Sequence, residues 1–170
     1  MRHARIVLSS LVLLGLATAQ SSGPAAQSSP AFEKIKSLAG EWEGKAIEGE
    51  KELPKHTSFR VVSDGSAVMN VLNSGEPGEM VSLFHMDGKE LLLTHYCSAH
   101  NQPRMRMVAS IDPNTIAFEF KDATNLASLK DGHMDHMKII FVDADHHVEE
   151  WSYLDNGKMQ TGRFEFHRKK

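Results

Sequence analysis

The sequence predicts an all-β fold: about ten antiparallel strands in a meander that closes into a barrel, with one short N-terminal helix in front. Three observations carry this reading. From Glu41 onward apolar residues recur at every second position, the period of a half-buried strand. Turn residues interrupt the chain at roughly the 8–12-residue spacing of sandwiches and barrels. Several of those turns are short, so consecutive strands pair as neighbours. A ten-stranded meander leaves two free edges unless it closes on itself, and closure removes them.

The elements follow in order. Arg2, His3 and Arg5 give a basic start, Ile6 to Leu16 form an apolar run, and Ala17-Thr18-Ala19 offers small residues for cleavage before Gln20. That order is the order of an export signal, and the run is too short to span a bilayer. Residues 1–19 are therefore expected to direct the chain to the periplasm or the exterior. Residues 20–30, rich in Ser, Gln, Ala, Gly and Pro, read as a flexible linker, and residues 31–170 as the barrel domain. Ser29-Pro30 supplies a cap and a first-turn proline; Phe32, Ile35 and Leu38 then recur every three residues until Gly40, which makes one short helix.

Strands are expected near 41–47, 55–62, 67–72, 79–86, 90–97, 104–110, 115–121, 133–142, 147–154 and 159–167. Asp64-Gly65, Asp87-Gly88, Asp112-Pro113-Asn114 and Asn156-Gly157 mark connections between them, because these residues tolerate or prescribe turn dihedrals. The connection from Ala123 to Gly132, with Leu126 and Leu129 three apart, reads as a helical turn or a flap over one mouth. Alternation assigns an inner face to Trp42, Phe59 and Val61, Met69 and Val71, Leu91 and Leu93, Met105 and Met107, Ile116, Phe118 and Phe120, Ile139 and Phe141, and Phe164 and Phe166.

Composition narrows the partners. Without residues 1–19 the chain loses Arg2 and Arg5, which leaves 17 basic against 22 acidic residues and moves the formal charge from −3 to −5. Nucleic-acid binders usually present a basic face, so no nucleic acid is expected, nor any membrane insertion. One cysteine, Cys97, cannot form an intrachain disulfide, so packing must hold the fold. Oligomeric state is not specified by the sequence.

At Leu38-Ala39-Gly40-Glu41-Trp42-Glu43-Gly44 a short helix leads into Leu-x-Gly-x-Trp-x-Gly, which resembles the opening of calycin-type barrels, in particular the lipocalin-like, nitrobindin-like and fatty-acid-binding-protein-like branch. The ending from Gly162 to Lys169 is similar to the last strand of bacterial members whose function is unassigned. The resemblance covers roughly residues 31–170 and implies that Trp42 closes the barrel floor and that the glycines allow close backbone approach. In nitrobindin-like proteins a histidine on the last strand ligates haem. Here Phe164 and Phe166 stand where it is expected and His167 alternates with them, so haem is disfavoured.

Candidate chemistry concentrates between Leu91 and Met107. Leu91, Leu93, His95 and Cys97 share one strand face, with His95 and Cys97 about 7 Å apart. The first expectation is an exported binding protein that holds a small, mainly apolar molecule inside the barrel. Its pocket would be lined by Trp42, Met69, His95, Cys97, Met105, Met107 and Phe118, with methionines adapting to the guest. A second is a metal- or redox-linked site on His95, Cys97 and His100, whose imidazoles and thiolate suit zinc or copper. A Cys97 nucleophile with a His95 or His100 base oriented by Asn101 ranks behind both, and no catalytic role is assigned. A third is a pocketless structural or interaction module of the cell envelope. Arg104 and Arg106 would clamp a carboxylate if they faced inward; facing outward they are solvated. Of the remaining polar clusters, His133 and Asp135 share a face that His136 does not, and His146-His147 beside Asp143 and Asp145 reads as a solvated turn.

Overall fold

The computed structural model describes residues 28–48 and 51–170. The export signal expected at 1–19, and most of the linker, lie outside the described residues. Ser29 caps helix α1 (Pro30–Lys36), its Oγ accepting from the Phe32 amide at 3.1 Å, and Pro30 stands in the first turn. Phe32 and Ile35, on the helix's buried side, are wholly buried. Ten strands follow: β1 (Gly40–Glu48), β2 (Lys51–Val62), β3 (Ala67–Leu72), β4 (Met80–Asp87), β5 (Glu90–Tyr96), β6 (Gln102–Val108), β7 (Thr115–Thr124), β8 (His133–Phe141), β9 (His146–Asp155) and β10 (Lys158–Arg168). Each pairs antiparallel with its neighbours in sequence, and β1 pairs with β10, so the sheet is a closed barrel with no free edge.

Closure rests on a glycine. Gly44 lies opposite Phe166 across the β1–β10 seam, and a Cβ on it would fall 1.9 Å from the Glu165 carbonyl oxygen. Only a residue without a side chain lets the first and last strands approach so closely. Helix α1 covers one end of the barrel, where Phe32, Ile35 and Leu38 join Trp42, Phe59 and Phe166 in the core. Trp42 Nε1 donates to the Leu38 carbonyl at 2.8 Å. Arg168 fastens this floor: its guanidinium donates to the carbonyls of Ala39 (2.9 Å), Ser37 (3.0 Å) and Ala144 (3.2 Å) and lies 4.2 Å from the Trp42 ring centroid. The last strand thereby ties the helix, the β8–β9 turn and the floor tryptophan together.

Several expectations are corrected. β2 begins at Lys51 and carries Pro54 opposite Lys45; alternate residues of an antiparallel pair make no ladder bond, so a proline there need not end the strand. Met69 and Val71 do not face inward. Phe59 pairs with Asn70 and Val61 with Val68, so the inner residues of β3 are Val68, Asn70 and Leu72, all buried. Apolar residues occupy both faces of β3, and only the pairing register decides between them. Val61 and Met107 share the inner side with Val68 and Phe118 but end on the rim, 39% and 42% exposed. Arg104 and Arg106 face outward and pair across the sheet with Asp122 and Glu119. The Ala123–Gly132 connection forms no helix; it is pinned between neighbouring turns by Asn101 Nδ2 donating to the Gly132 carbonyl (2.8 Å) and the Asn156 amide donating to the Lys130 carbonyl (2.9 Å).

Candidate functional site

The inner wall is apolar except for a set of polar side chains that run around it. Thr57, Asn70, Ser82, His95, His147 and Glu149 are each at most 2% exposed. They occupy inward positions because they alternate with apolar inner residues: Thr57 with Phe59, Asn70 with Val68 and Leu72, Ser82 with Phe84, His95 with Leu91 and Leu93, and Glu149 with Trp151. Removing such groups from water is unfavourable unless they find partners, and most do. Asn70 Nδ2 donates to Thr57 Oγ1 at 2.6 Å and to the Ser58 carbonyl at 3.2 Å. Ser82 and His95 are direct cross-strand partners, with Oγ and Nδ1 hydrogen-bonded at 2.9 Å.

On β9 a second chain forms with period two. Trp151 Nε1 donates to Glu149 Oε2 at 2.9 Å, and His147 Nε2 lies 3.3 Å from Glu149 Oε1. The His147 ring meets Trp42 edge-on at 4.4 Å between centroids. The two chains meet where the rings of His95 and Trp151 lie 4.7 Å apart. Two ring nitrogens, His95 Nε2 and His147 Nδ1, are buried without a partner. Burial lowers the His95 pKa to about 4, so at neutral pH the imidazole is uncharged and its Nε2 is one unsatisfied hydrogen-bonding position. Chemically the seam can hold a polar group by hydrogen bonds from inside an apolar wall.

The expected pocket residues are divided by the structure. His95, Met105 and Phe118 stand on the inner wall, 0–2% exposed, and Trp42 lies in the floor. Met69 is half-buried on the outer face beside Arg60, and Met107 is on the rim. Cys97 lies just past the end of β5, its amide donating to the Asn101 carbonyl at 3.1 Å. His100 is exposed in the same turn, at a φ of 65°. His95, Cys97 and His100 thus occupy interior, mouth and surface, and among the described residues no three His, Cys, Asp or Glu side chains converge to hold a metal ion.

The reading of His147 as a solvated turn residue is overturned, since it is wholly buried and begins the inner face of β9. Glu149, equally buried, is a position for which the sequence carries no expectation. The spacing His147-x-Glu149-x-Trp151 was the available signal: at period two, a carboxylate between an imidazole and an indole can bond both. Asp135 also departs from expectation. A bulge between Met134 and His136 lets its carboxylate contact both His133 Nε2 (3.6 Å) and His136 Nδ1 (2.5 Å). At the mouth opposite the helix, an open concavity of about 600 Å³ is lined by Ala99, Asn101, Leu126, Asp131, Gly132 and Tyr153, among others.

Comparison with known proteins supports the architecture. The chain is similar to the crystal structure of Rv2717c from M. tuberculosis, with a TM-score of 0.55 at 13% identity over 84% of this chain and 99% of that one. It is also similar to a protein of unknown function from the DUF3598 family of Nostoc punctiforme, with a TM-score of 0.52 at 14% identity over 79% of this chain. There it spans about half (49%) of the other chain's length. At such identities the likeness is one of fold, and it is consistent with a calycin-like barrel. No protein-family model matches the sequence, and no curated protein does.

Proposed function

We propose that this is an exported calycin-type barrel, of the nitrobindin-like and fatty-acid-binding-protein-like branch, that holds a small, mainly apolar molecule with one polar group inside the barrel. The observation that carries the reading is His95 Nε2, buried and unpartnered on an inner wall that also carries the apolar side chains of Leu93, Met105 and Phe118. An orphaned buried polar atom costs about 1–3 kcal/mol, and a guest's hydroxyl, amide or carboxyl placed against it offsets that cost. The Leu38–Gly44 motif supports the branch, and the basic, apolar and small-residue order of residues 1–19 supports export.

A second reading, a packed module without a guest, draws on the closeness of the interior rings, with Phe84–Phe118 at 5.7 Å and Phe59–Phe84 at 6.5 Å between centroids. One titration separates the two. An environment-sensitive fluorescent fatty-acid analogue added to the untagged protein should gain emission saturably, and Met105→Trp, which fills the wall, should abolish the gain. No saturable response across several lipophilic probes of different head group would remove the binding reading and leave the packed module.

A further inference from the structure

We propose that the concavity at the open mouth of the barrel, walled by Asp131, Tyr153 and Asn101, binds a small primary amine as its ammonium ion, with the amine's apolar body laid against Leu126, Ala99 and Ala127. The site lies outside the polar seam around His95, and the guest proposed for the interior does not enter the argument.

The polar walls come together because two inner rows continue past the apolar core. Asn101 extends the row of Met105 and Pro103 on β6, and Tyr153 extends the row of Trp151 on β9, since alternate residues of a strand share a face. Both side chains meet Gly132, at the end of the β7–β8 connection. Asn101 Nδ2 donates to its carbonyl at 2.8 Å. The Tyr153 hydroxyl fills the space beside its Cα, 2.0 Å from where a Cβ would stand. Asp131 precedes Gly132 and accepts from the Ser128 amide at 3.0 Å through one carboxylate oxygen. Among the described residues no lysine or arginine forms an ion pair with it.

An independent observation points to a ligand. Asn101 is 4% exposed, and its Oδ1 is buried without a hydrogen-bond partner, which buried polar atoms of folded proteins rarely are. The missing partner is a donor, because an amide oxygen only accepts. Burial, with Cys97 and Asp155 nearby, pushes the Tyr153 phenol up, so at neutral pH it is uncharged and its oxygen can accept as well. An ammonium head supplies several N–H donors and the charge opposite to that of Asp131. An alcohol brings a donor without the charge, a quaternary ammonium the charge without a donor, and a carboxylate is repelled. Oδ1 is shielded from water, so the head reaches it by a small displacement of the lining. Leu126 and Ala127 can yield, since among the described residues neither takes part in a backbone–backbone hydrogen bond.

The test titrates the full chain, purified without an affinity tag, with phenethylammonium at pH 7 and low salt. Calorimetry should show one-to-one binding with a Kd of about 1 mM or tighter, within reach of so small a ligand. 2-Phenylethanol and N,N,N-trimethylphenethylammonium should each bind at least about tenfold more weakly, as loss of a charged hydrogen bond implies. Nuclear magnetic resonance shifts should centre on Gly132 and the Asn101 side-chain amide and spare Leu93 and Met105 of the interior. Asp131→Asn should weaken binding at least about tenfold, and Leu126→Trp, which fills the concavity, should abolish it; circular dichroism confirms that both variants fold. Equal affinity for the trimethylated probe overturns the proposal. So do shifts centred on the interior, binding that survives Asp131→Asn unchanged, and the absence of saturable uptake below about 10 mM, a level that small ligands reach without a built site.

Discussion

His95 and Ser82 face each other directly across β5 and β4, with Nδ1 and Oγ 2.9 Å apart, while the opposite ring nitrogen of His95 has no partner. The pair sits on an apolar wall against the Trp151 ring, and burial there favours the uncharged imidazole, whose pKa falls from 6.5 to about 4. The sign of the consequence follows. In the unfolded chain His95 takes up its proton near pH 6.5 and in the folded barrel only near pH 4, so between those values the unfolded state binds more protons. Stability therefore climbs from pH 4 to 6.5, by about 3 kcal/mol at most from this group, and is unaffected by it above and below. Urea midpoints at pH 4.5 and 7 should differ more in the wild type than in His95→Gln; equal differences would show that His95 carries none of the acid sensitivity.

Gly44 is the position at which the barrel tolerates least. Its Cα faces the Glu165 backbone, and an added methyl group would meet the carbonyl oxygen at 1.9 Å and the Phe166 ring at 2.8 Å. A backbone carbonyl in a closed sheet cannot step aside without breaking the seam. Gly44→Ala is expected to cost about 3 kcal/mol or more, the upper end for overpacking. Gly162→Ala, whose nearest neighbour is the Phe164 ring edge at 3.2 Å, should cost less because a side chain can shift. Chemical denaturation of the two variants makes the comparison, and equal losses would show that the seam is not the constraint.

Arg168 supports the floor through three backbone carbonyls, the Asp145 carboxylate at 3.2 Å and the face of Trp42. Arg168→Ala should therefore destabilise by about 2–4 kcal/mol, since charge-assisted hydrogen bonds and a stacked cation are lost together. It should also shift tryptophan emission to the red as water reaches Trp42. Arg168→Lys should recover only part of the loss, because an ammonium cannot fork to several carbonyls while lying on an indole. Full recovery by lysine would mean that charge alone matters here.

The barrel was legible because its signals are local. The two-residue period, the turn residues and the Leu38–Gly44 motif each depend on neighbours in sequence, and they placed Trp42, Leu93, His95, Met105 and Phe118 correctly. What was not legible depends on register between strands. Met69 and Val68 are equally apolar, and only the pairing of Asn70 with Phe59 turns Met69 outward. Likewise a polar residue in a strand ordinarily faces water, so nothing local marks Asn70, Ser82 and Glu149 as interior. Their partners come from an adjacent strand or, for Glu149, from its own strand two residues to either side. His147 was obscured by its position next to a turn, although it faces the interior.

Glu149 offers the most direct probe of what the interior is for. Its carboxyl group is 1% exposed, accepts from Trp151 Nε1 at 2.9 Å and lies 3.3 Å from His147 Nε2. Glu149→Ala removes the shared partner of two buried polar groups and should cost about 3–5 kcal/mol, the range for breaking a buried pair. Glu149→Gln keeps the volume and an oxygen for the indole N–H, and should cost only about 1–2 kcal/mol. Equilibrium denaturation with tryptophan emission as the readout checks both, and a neutral Glu149→Ala would sink the claim that this chain is structurally important. The glutamine variant then separates support from recognition. If Glu149 only holds Trp151 in place, probe affinity in Glu149→Gln should match wild type under conditions where the variant is fully folded. If the carboxyl group faces the guest, affinity should fall there, and more for probes with a hydrogen-bond donor than for those without one.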